Sequence, residues 1–431
     1  MWQNRLHLII YILIPALCFF GASCERDDDE YVTPEVVPPG FPGQKLACTL
    51  IVYMAAENSL SEFVDSDSLE IARGLLDIPE NTRVVLFIDD AKYKDNRSSR
   101  LCVGTRREPL QRVKVYGRNL CSTDAEDMSI VLSDIVRDYP ADHYSLVFWS
   151  HASGWMPQKK ANAARRRSFG IDNGQRIGNR YDERVNQGVV MEIPVMAQVL
   201  SRFPHLDYLL FDACFMQCIE VAYELRGVAD YIIGSPAEIP GLGAPYDLLL
   251  PTMCQTPADV EGIVNGYVDY YESGKAGSPY FGAEMSLIRT NAMDTLALTT
   301  APWMQAILKG RAEVDASQIQ RYCDNSQSSQ FTEYYDLKNW LYQASLSIED
   351  FSEEDYQAWC KVYDLTVPLT RLSPKWYSTI PERTQREIID KEHCGGVSAF
   401  IPSSHYEQQG LTEAYHTLSW YTAAGINQTG W

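Results

Sequence analysis

Two apolar runs decide the fold of this chain: YSLVFWSH at residues 144–151 and LDYLLFDAC at residues 206–214. Both are typical of strands buried on two faces, and a helical pattern at residues 194–203 separates them. This order predicts a βαβ unit with parallel strands. The runs end in His151 and Cys214, and the carboxyl ends of parallel strands line the ligand crevice of an open sheet. If the strands are neighbours, the imidazole and the thiol therefore emerge side by side.

The alternation of strands and helices extends over most of the chain. Folding begins near residue 46, and the pattern predicts an α/β fold with a mostly parallel sheet flanked by helices. Residues 251–376 are richer in helical patterns, which we interpret as a helical extension or subdomain packed on the sheet. One last strand candidate follows at 397–401. The other predicted elements are strands at 50–54, 83–88, 144–149, 206–211 and 231–233, and a helix at 127–139.

The first 24 residues have the organisation of a bacterial lipoprotein signal. Arg5 precedes an apolar stretch at residues 8–20, which is too short for a transmembrane helix, and small residues lead to Cys24. We expect removal of residues 1–23 and lipidation of Cys24, which would anchor the protein to a membrane. An uncleaved anchor or a plain secretory signal is the alternative.

Residues 24–45 are acidic and then rich in proline, a composition typical of an extended tether. The acidic stretch at 25–30 also resembles the export tag of bacterial surface lipoproteins. We therefore expect a lipid-anchored protein of the cell envelope, on the outer face of the outer membrane.

Composition excludes one class of partner and indicates no metal site. The formal net charge of -20 at pH 7 would repel a phosphate backbone, so nucleic acid is not an expected partner. The cysteines lack the paired C-x-x-C spacing of a zinc site, and no loop has the ligand spacing of an EF-hand. We predict no required cofactor and no metal ligands.

His151 and Cys214 together suit nucleophilic catalysis by a cysteine. A thiolate is the attacking species, and a neighbouring imidazole can take the thiol proton and return it to the leaving amine. The backbone N–H groups of Ala152 and Cys214 would form an oxyanion hole. A second interpretation stays open, in which Cys214 is a buried small hydrophobic residue and His151 is a hydrogen-bonded histidine without a chemical role.

Several segments resemble, in the same order, the motifs of the clostripain family of cysteine peptidases. Residues 211–225, FDACFMQCIEVAYEL, are similar to the nucleophile segment of that family, and residues 148–155, FWSHASGW, are similar to its histidine segment. The resemblance implies a caspase-like fold in which His151 is the general base and Cys214 is the nucleophile. Further matches lie at residues 53–60, 235–243, 245–247, 335–337 and 396–402, so the resemblance covers about residues 46–402.

The resemblance also suggests how the chain is divided. We assign residues 46–250 to a caspase-like catalytic core and residues 251–403 to a helix-rich extension that returns to the sheet. The remaining parts are the signal peptide at 1–23, the tether at 24–45 and a C-terminal segment at 404–431.

The same resemblance implies substrates that are proteins or peptides with Arg or Lys at the P1 position. Asp212 is the first candidate for the carboxylate of the P1 pocket, because a carboxylate there would pair with a basic side chain and exclude an acidic one. Asp247 is a second candidate for the same region. A structural carboxylate that binds backbone amides is the alternative role of Asp212.

A basic cluster lies between the two motifs of an otherwise acidic chain. Members of the family are often matured by cleavage of a loop between the histidine and the cysteine, so the cluster is a candidate site of self-cleavage. A solvated surface loop is the alternative. The cluster consists of Lys159, Lys160, Arg165, Arg166 and Arg167.

Two residues depart from the family pattern. Ala152, after the histidine, and Gln217, in the nucleophile segment, stand where the family usually has glycine. Alanine still supplies a backbone N–H, but it carries a cost that glycine does not if the position needs a positive φ. Some members of the family depend on calcium, which leaves calcium as an optional ligand of this acidic chain.

Two other functions compete with a lipid-anchored cysteine endopeptidase. A catalytically weak or inactive member of the fold would serve as a scaffold or glycan-binding surface lipoprotein, and the 26 tyrosines and 9 tryptophans suit sugar stacking as well as a large core. A different hydrolase is disfavoured because the chain shows no Gly-x-Ser-x-Gly elbow and no phosphate-binding glycine loop.

Overall fold

The computed structural model describes residues 42–92, 99–157, 168–174, 188–323, 332–378, 385–388 and 390–431. Within these ranges the chain forms a central sheet of nine strands with helices on both faces. No helix among the described residues is long and apolar enough to cross a membrane.

The strands are numbered in chain order. They are β1 (Leu46–Ala56), β2 (Thr82–Asp90), β3 (Ser99–Thr105), β4 (Gln111–Val115), β5 (Ala141–Trp149), β6 (Phe169–Asp172), β7 (Val189–Met191), β8 (Leu206–Asp212), β9 (Ala229–Gly234), β10 (Glu284–Arg289), β11 (Tyr335–Asp336), β12 (Leu369–Leu372), β13 (Lys375–Tyr377), β14 (Gln385–Glu387) and β15 (Ser398–Ala399).

The helices follow the same scheme. They are α1 (Val64–Gly74), α2 (Ala125–Asp138), α3 (Ile193–Leu200), α4 (Ile219–Leu225), α5 (Tyr246–Met253), α6 (Val260–Glu272), α7 (Met293–Leu308), α8 (Leu337–Ser345), α9 (Glu353–Thr366), α10 (Ser404–Glu407), α11 (Leu411–Tyr415) and α12 (Ser419–Ala423).

The central sheet is parallel in its middle and antiparallel at both edges. Its strand order is β12-β10-β9-β8-β5-β1-β2-β3-β4. The strands from β9 to β2 in this order run parallel to one another. At one edge β3 runs antiparallel to β2, and β4 runs antiparallel to β3. At the other edge β10 runs antiparallel to β9, and β12 runs antiparallel to β10. β5 and β8, which precede His151 and Cys214, are direct neighbours.

Both faces of the parallel strands are buried, and this is why they read as continuous apolar runs. Along β1 the residues alternate between two apolar cores, with Ile51 and Tyr53 in one core and Leu50 and Val52 in the other. Residues of α2, α3 and α4 complete the first core, and residues of α1, α5 and α6 complete the second. The sheet is therefore held between two layers of helices.

The structure confirms most of the predicted elements and corrects one. Each strand predicted at 50–54, 83–88, 144–149, 206–211 and 231–233 lies within a longer strand, and the helices predicted at 127–139 and 194–203 correspond to α2 and α3. The strand candidate at 397–401 shrinks to β15, which pairs with β11 outside the central sheet. The chain returns to the central sheet through β10 and β12 instead.

Candidate active site

The register of β5 and β8 brings His151 and Cys214 to the same edge of the sheet. Trp149, the last residue of β5, pairs with Asp212, the last residue of β8. His151 and Cys214 each follow two positions later, so both leave the sheet at its carboxyl edge. The prediction that the two strands are neighbours is therefore confirmed, and it places an imidazole and a thiol on adjacent loops.

The loop after His151 packs directly on the loop after Cys214. Gly154 has φ +67°, and a Cβ added there would lie 3.1 Å from Cys218 Sγ and 3.2 Å from the carbonyl oxygen of Phe215. A side chain at position 154 would thus separate the two loops. Gly154 is needed both for its backbone conformation and for this close approach.

Phe215, immediately after the candidate nucleophile, holds a strained backbone. It is a non-glycine residue with φ 61°, a conformation that costs on the order of 1 kcal/mol and clusters at functional sites. Its amide donates to the carbonyl oxygen of Ala237 at 2.9 Å, and its ring stacks on Tyr334 with centroids 4.3 Å apart. The Tyr334 hydroxyl also donates to the carbonyl oxygen of Ser153 at 3.1 Å. A residue far along the chain therefore ties both loops together.

A serine contacts the imidazole of His151. Ser59 Oγ lies 2.8 Å from His151 Nε2, in the turn that follows β1. Asn58 fixes this turn, because its amide nitrogen donates to the carbonyl oxygens of Ala55 and Ile171, each at 2.9 Å. Residues 53–60 match a family motif, but nothing in the sequence singled out Ser59.

The Cys214 thiol is partly buried against the segment after β9. Its Sγ accepts a hydrogen bond from the Ile239 amide at 3.4 Å. Burial, followed by the charge of Glu238, raises the pKa of the Cys214 thiol to about 12, although the Ile239 amide opposes this shift. The neutral thiol is therefore the resting form, and a base must remove its proton before the sulfur can attack.

The backbone amides of Ala152 and Cys214 are the predicted donors of an oxyanion hole. Neither donates a hydrogen bond to another residue within the described ranges. Ala152 faces Phe169 in a short antiparallel bridge, and among the described non-glycine residues only Phe215 and Arg311 have positive φ. Position 152 therefore does not need a positive φ, so alanine there avoids the cost that such a conformation would carry.

Gln217, the second departure from the family pattern, is a structural link. It is fully buried, and its amide nitrogen donates to the carbonyl oxygen of Ser286 in β10 at 2.9 Å. Its backbone amide also donates to the carbonyl oxygen of Ser235 at 3.0 Å. The longer side chain thus fastens the nucleophile loop to the antiparallel edge of the sheet.

Asp212 is a buried carboxylate with three donors. Its side chain accepts hydrogen bonds from the Ala244 amide at 3.0 Å, the Tyr246 hydroxyl at 2.8 Å and the Tyr267 hydroxyl at 3.2 Å. Burial raises the pKa of Asp212, and these three donors lower it in part. The close approach of the chain at Gly243, where a Cβ would meet Asp212 Oδ2 at 2.7 Å, leaves no room for a larger residue.

Two further carboxylates on α1 lie near Asp212 and are not predicted from the sequence. Asp67 accepts a hydrogen bond from the Trp149 indole at 2.8 Å, and Glu70 accepts one from the Tyr246 amide at 3.2 Å. Burial, then the charges of Asp212 and Glu70, raise the pKa of Asp67 to about 8. We call Asp67, Glu70 and Asp212 the acidic group. Asp247 is instead half-buried and forms an ion pair with Arg73 at 3.8 Å.

A second set of carboxylates lies behind the turn that carries Ser59. Within the described residues, Glu57, Asp89 and Asp172 are the one group of His, Cys, Asp or Glu side chains close enough to hold a metal ion. Their positions at the ends of β1, β2 and β6 place them at the same carboxyl edge of the sheet as His151.

Several predicted sites lie outside the described residues. They are the lipidation site Cys24 and the five residues of the basic cluster, Lys159, Lys160, Arg165, Arg166 and Arg167.

The chain is similar to known cysteine peptidases. The model of the clostripain family, peptidase C11, matches residues 52–429. Clostripain of Hathewaya histolytica is 25% identical over 223 residues, a match that covers 46% of this chain and 40% of clostripain. The chain thus matches less than half the length of this relative.

Two solved structures are similar over nearly their whole length. A secreted C11 cysteine protease of Bacteroides thetaiotaomicron, in complex with an irreversible peptide inhibitor, is 26% identical with a TM-score of 0.72, covering 89% of this chain and 99% of its own. An inactive zymogen C11 protease of Parabacteroides distasonis is 27% identical with a TM-score of 0.70, covering 88% and 98%. The predicted caspase-like fold is therefore confirmed.

Proposed function

The chain belongs to the clostripain family of cysteine peptidases, and on this premise we propose that it is an endopeptidase with Cys214 as nucleophile and His151 as general base. The observation that carries the proposal is the register of β5 and β8, in which Trp149 pairs with Asp212 two positions before each candidate. Contact between the two following loops supports it.

The proposed reaction needs a proton transfer before the attack. His151 takes the thiol proton of Cys214, and the sulfur attacks the carbonyl carbon of the scissile peptide bond. The resulting oxyanion accepts hydrogen bonds from the amides of Ala152 and Cys214. His151 then gives its proton to the leaving amine, and the C–N bond breaks to leave a thioester. Water, deprotonated by His151, hydrolyses the thioester and restores the thiol.

Ser59 contributes to this scheme as a positioning residue. Its hydroxyl lies 2.8 Å from Nε2 of His151, and this contact orients the ring that exchanges the proton with Cys214. Such a group, which orients the base, is a recurring part of cysteine and serine nucleophile systems.

We infer that the enzyme cleaves after Arg or Lys. The acidic group, Asp67, Glu70 and Asp212, gathers carboxylates beside the carboxyl end of β8. A basic P1 side chain that reaches Asp212 would gain a charge-assisted hydrogen bond and lower the repulsion within the group. An acidic P1 side chain would increase that repulsion and be rejected. The ion pair between Asp247 and Arg73 makes Asp247 the weaker candidate.

We also propose membrane anchoring through a lipid on Cys24 and self-cleavage within the basic cluster at 159–167. The cluster has the residue types that the acidic group would select, and this match supports self-cleavage. Mass spectrometry of the purified protein tests it: the wild-type chain should be cut after one of these residues, whereas a Cys214→Ala chain should stay intact.

Fluorogenic peptides that differ only at P1 test the peptidase itself. We expect turnover of the Arg and Lys peptides, little turnover of the Asp and Ala peptides, and none with Cys214→Ala. Cys102→Ala, which removes a partly buried cysteine on β3, serves as the matched control. The peptides are tested with the basic cluster intact and cut. No turnover in either state, with Cys214 unreactive to iodoacetamide, would favour the inactive scaffold instead.

A further inference from the structure

Two segments that resemble family motifs, residues 335–337 and 396–402, take no part in the reaction proposed above. They meet in the antiparallel pair of β11 and β15, where Asp336 lies opposite Ser398. The Asp336 carboxylate is fully buried and accepts a hydrogen bond from the Gly396 amide at 2.9 Å, across 60 residues of chain. This carboxylate therefore fastens the two segments to each other.

The pair of β11 and β15 packs on the histidine loop and the nucleophile loop, which follow β5 and β8. In the nucleophile loop, the carbonyl oxygen of Gln217 accepts a hydrogen bond from the Ser398 amide at 3.0 Å, and Cys218 forms a parallel bridge with Ser398. In the histidine loop, the ring of Trp155 meets the ring of Phe400 edge-on, with centroids 5.1 Å apart. Residues from the C-terminal part of the chain therefore contact both loops of the candidate active site.

Tyr334, the residue before β11, reaches both loops at once. Its hydroxyl donates to the carbonyl oxygen of Ser153 in the histidine loop at 3.1 Å. Its ring stacks on that of Phe215 in the nucleophile loop, with centroids 4.3 Å apart. Burial raises the pKa of Tyr334 well above its ordinary value, so the hydroxyl keeps its proton and remains a hydrogen-bond donor.

The contact with Ser153 bears on the Ala152 amide, the first of the two predicted oxyanion donors. Three successive peptide groups of the histidine loop are fixed by hydrogen bonds. The His151 carbonyl oxygen accepts the Gly170 amide at 2.8 Å, and the Ser153 amide donates to the carbonyl oxygen of the residue before β6 at 3.1 Å. The third bond comes from Tyr334. Without it, the loop stays attached to β6 but loses a hydrogen-bonded link toward the nucleophile loop.

The contact with Phe215 bears on the second predicted donor, the Cys214 amide. Phe215 has φ 61°, a conformation that a non-glycine residue keeps only when its surroundings determine it. Its amide donates to the carbonyl oxygen of Ala237 at 2.9 Å, and its ring lies against Tyr334. The backbone that carries the Cys214 amide is therefore held against the same tyrosine that holds the histidine loop.

We propose that Tyr334 is a positioning residue that sets the distance between the two oxyanion donors, the amides of Ala152 and Cys214. Such donors act when they lie about 2.7–3.1 Å from the developing oxyanion, so a shift of one loop against the other weakens their bonds to the transition state. Tyr334 exchanges no proton in this scheme and acts only through the two loops. The inference rests on the proposed function, because the distance matters only if an oxyanion forms beside Cys214.

Two reactions of Cys214 separate this role from a role in removing the thiol proton. In peptide hydrolysis the sulfur bonds to a carbonyl carbon, and the carbonyl oxygen becomes negatively charged. In alkylation by iodoacetamide the sulfur bonds to the CH₂ carbon and iodide leaves, so no oxyanion forms. Both reactions need the thiolate. A change in the oxyanion donors alone should therefore slow hydrolysis and leave alkylation as it is.

Tyr334→Phe removes the hydroxyl and keeps the ring. For a peptide with Arg at P1, kcat and kcat/KM should fall together by about threefold to tenfold, the effect of one neutral hydrogen bond that counts in the transition state. The rate of Cys214 alkylation, followed by mass spectrometry of the modified peptide, should stay at the wild-type value. His151→Ala is the reference variant and should slow both reactions, because it removes the base.

Tyr208→Phe is the matched control. Tyr208 is fully buried in β8, and its hydroxyl donates to the carbonyl oxygen of Met253 at 2.7 Å. Tyr208→Phe and Tyr334→Phe each remove one buried hydroxyl that binds a backbone carbonyl, so both should lower the Tm by a similar amount. Because Tyr208→Phe should keep the wild-type kcat, a lower kcat in Tyr334→Phe is then not a loss of global stability.

Two results would overturn the inference and leave the peptidase in place. One is hydrolysis by Tyr334→Phe at the rate of Tyr208→Phe. The other is alkylation slowed as much as hydrolysis, because the defect would then lie in the thiol or its base. Absence of turnover by the wild-type chain, with the basic cluster intact and cut, would instead refute the proposed function, and the inference with it.

Discussion

Asp212→Asn separates the two roles that the sequence leaves open for this residue, a P1-binding carboxylate and a structural one. Asp212 is 3% exposed, and its Oδ2 receives the Ala244 amide and the Tyr246 hydroxyl while its Oδ1 receives the Tyr267 hydroxyl. In the variant, the amide oxygen can keep the two donors of Oδ2, and the Tyr267 hydroxyl can rotate to accept from the new amide nitrogen. We therefore expect a loss of only about 1 kcal/mol in the free energy of unfolding, the worth of one neutral hydrogen bond.

The loss of activity should be larger and should depend on P1. Truncating one partner of a buried, hydrogen-bonded charge pair costs about 2–5 kcal/mol. Because the carboxylates of Asp67 and Glu70 remain beside the substituted residue, we expect a cost near the lower end of this range. At about 1.4 kcal/mol per factor of ten, kcat/KM for an Arg peptide should fall by about 30-fold or somewhat more. An Ala peptide makes no ion pair, so its kcat/KM should change by less than about threefold.

The assay compares kcat/KM for peptides with Arg, Lys or Ala at P1, with the Tm measured on the same preparations. Glu220→Gln is the matched control, since Glu220 is a fully buried carboxyl that accepts a hydrogen bond from the Phe400 amide at 2.8 Å. Phe400 is not among the donors to Asp212. An equal loss for the Arg and Ala peptides would refute the reasoning and leave Asp212 with the structural role alone.

Three further predictions concern the supports of the site. Ser59→Ala should lower kcat by about threefold to tenfold with KM unchanged, because one hydrogen bond to His151 is lost. Ser59→Thr keeps the hydroxyl and should restore kcat. A change confined to KM would contradict the positioning role of Ser59. Gly154→Ala should lower the free energy of unfolding by about 1–2 kcal/mol in urea titrations, since its φ is positive and Phe215 crowds its Cβ; unchanged stability would argue against the loop contact. The pKa of Asp67 is about 8 in the folded state and about 4 in the unfolded state. Between pH 4 and pH 8 the folded state therefore binds more protons than the unfolded state, and the protein loses stability as the pH rises through this range. The Tm of Asp67→Asn relative to the parent should therefore increase from pH 4 to 8, and a constant difference would contradict the burial argument.

The sequence was informative where the signal is local in the chain. β1, β2, β5 and β8 lie in the middle of a parallel sheet with both faces buried, so each is a continuous apolar run that one window of sequence reveals. β12 was not predicted, because its four residues are all half-buried at the edge of the sheet and show no alternation. The pairing of β15 with β11 depends on two residues in each strand, too few to leave a pattern.

The same difference between local and long-range signals explains which residues of the site could be predicted from the sequence. His151 and Cys214 each follow a recognisable strand, and parallel strands bring their carboxyl ends together by rule. Ser59 meets His151 across 92 residues of chain, and Asp67 meets Trp149 across 82. Neither contact has a local pattern, since a serine in a turn and an aspartate in the first turn of a helix are ordinary residues at those places.

In this site, the preference for a basic P1 side chain would also affect how easily the thiol of Cys214 loses its proton. Burial and the charges of Glu238 and Asp212 all raise the pKa of the Cys214 thiol, to about 12. If Asp212 binds a basic P1 side chain, the substrate brings a positive charge that offsets one of these negative charges as it binds. The thiol of Cys214 then becomes easier to deprotonate in the substrate complex than in the free enzyme, and an acidic P1 side chain has the opposite effect. The acidic group would therefore select substrates both by binding the side chain and by easing proton transfer to His151, so replacing Arg by Ala at P1 should lower kcat as well as raise KM.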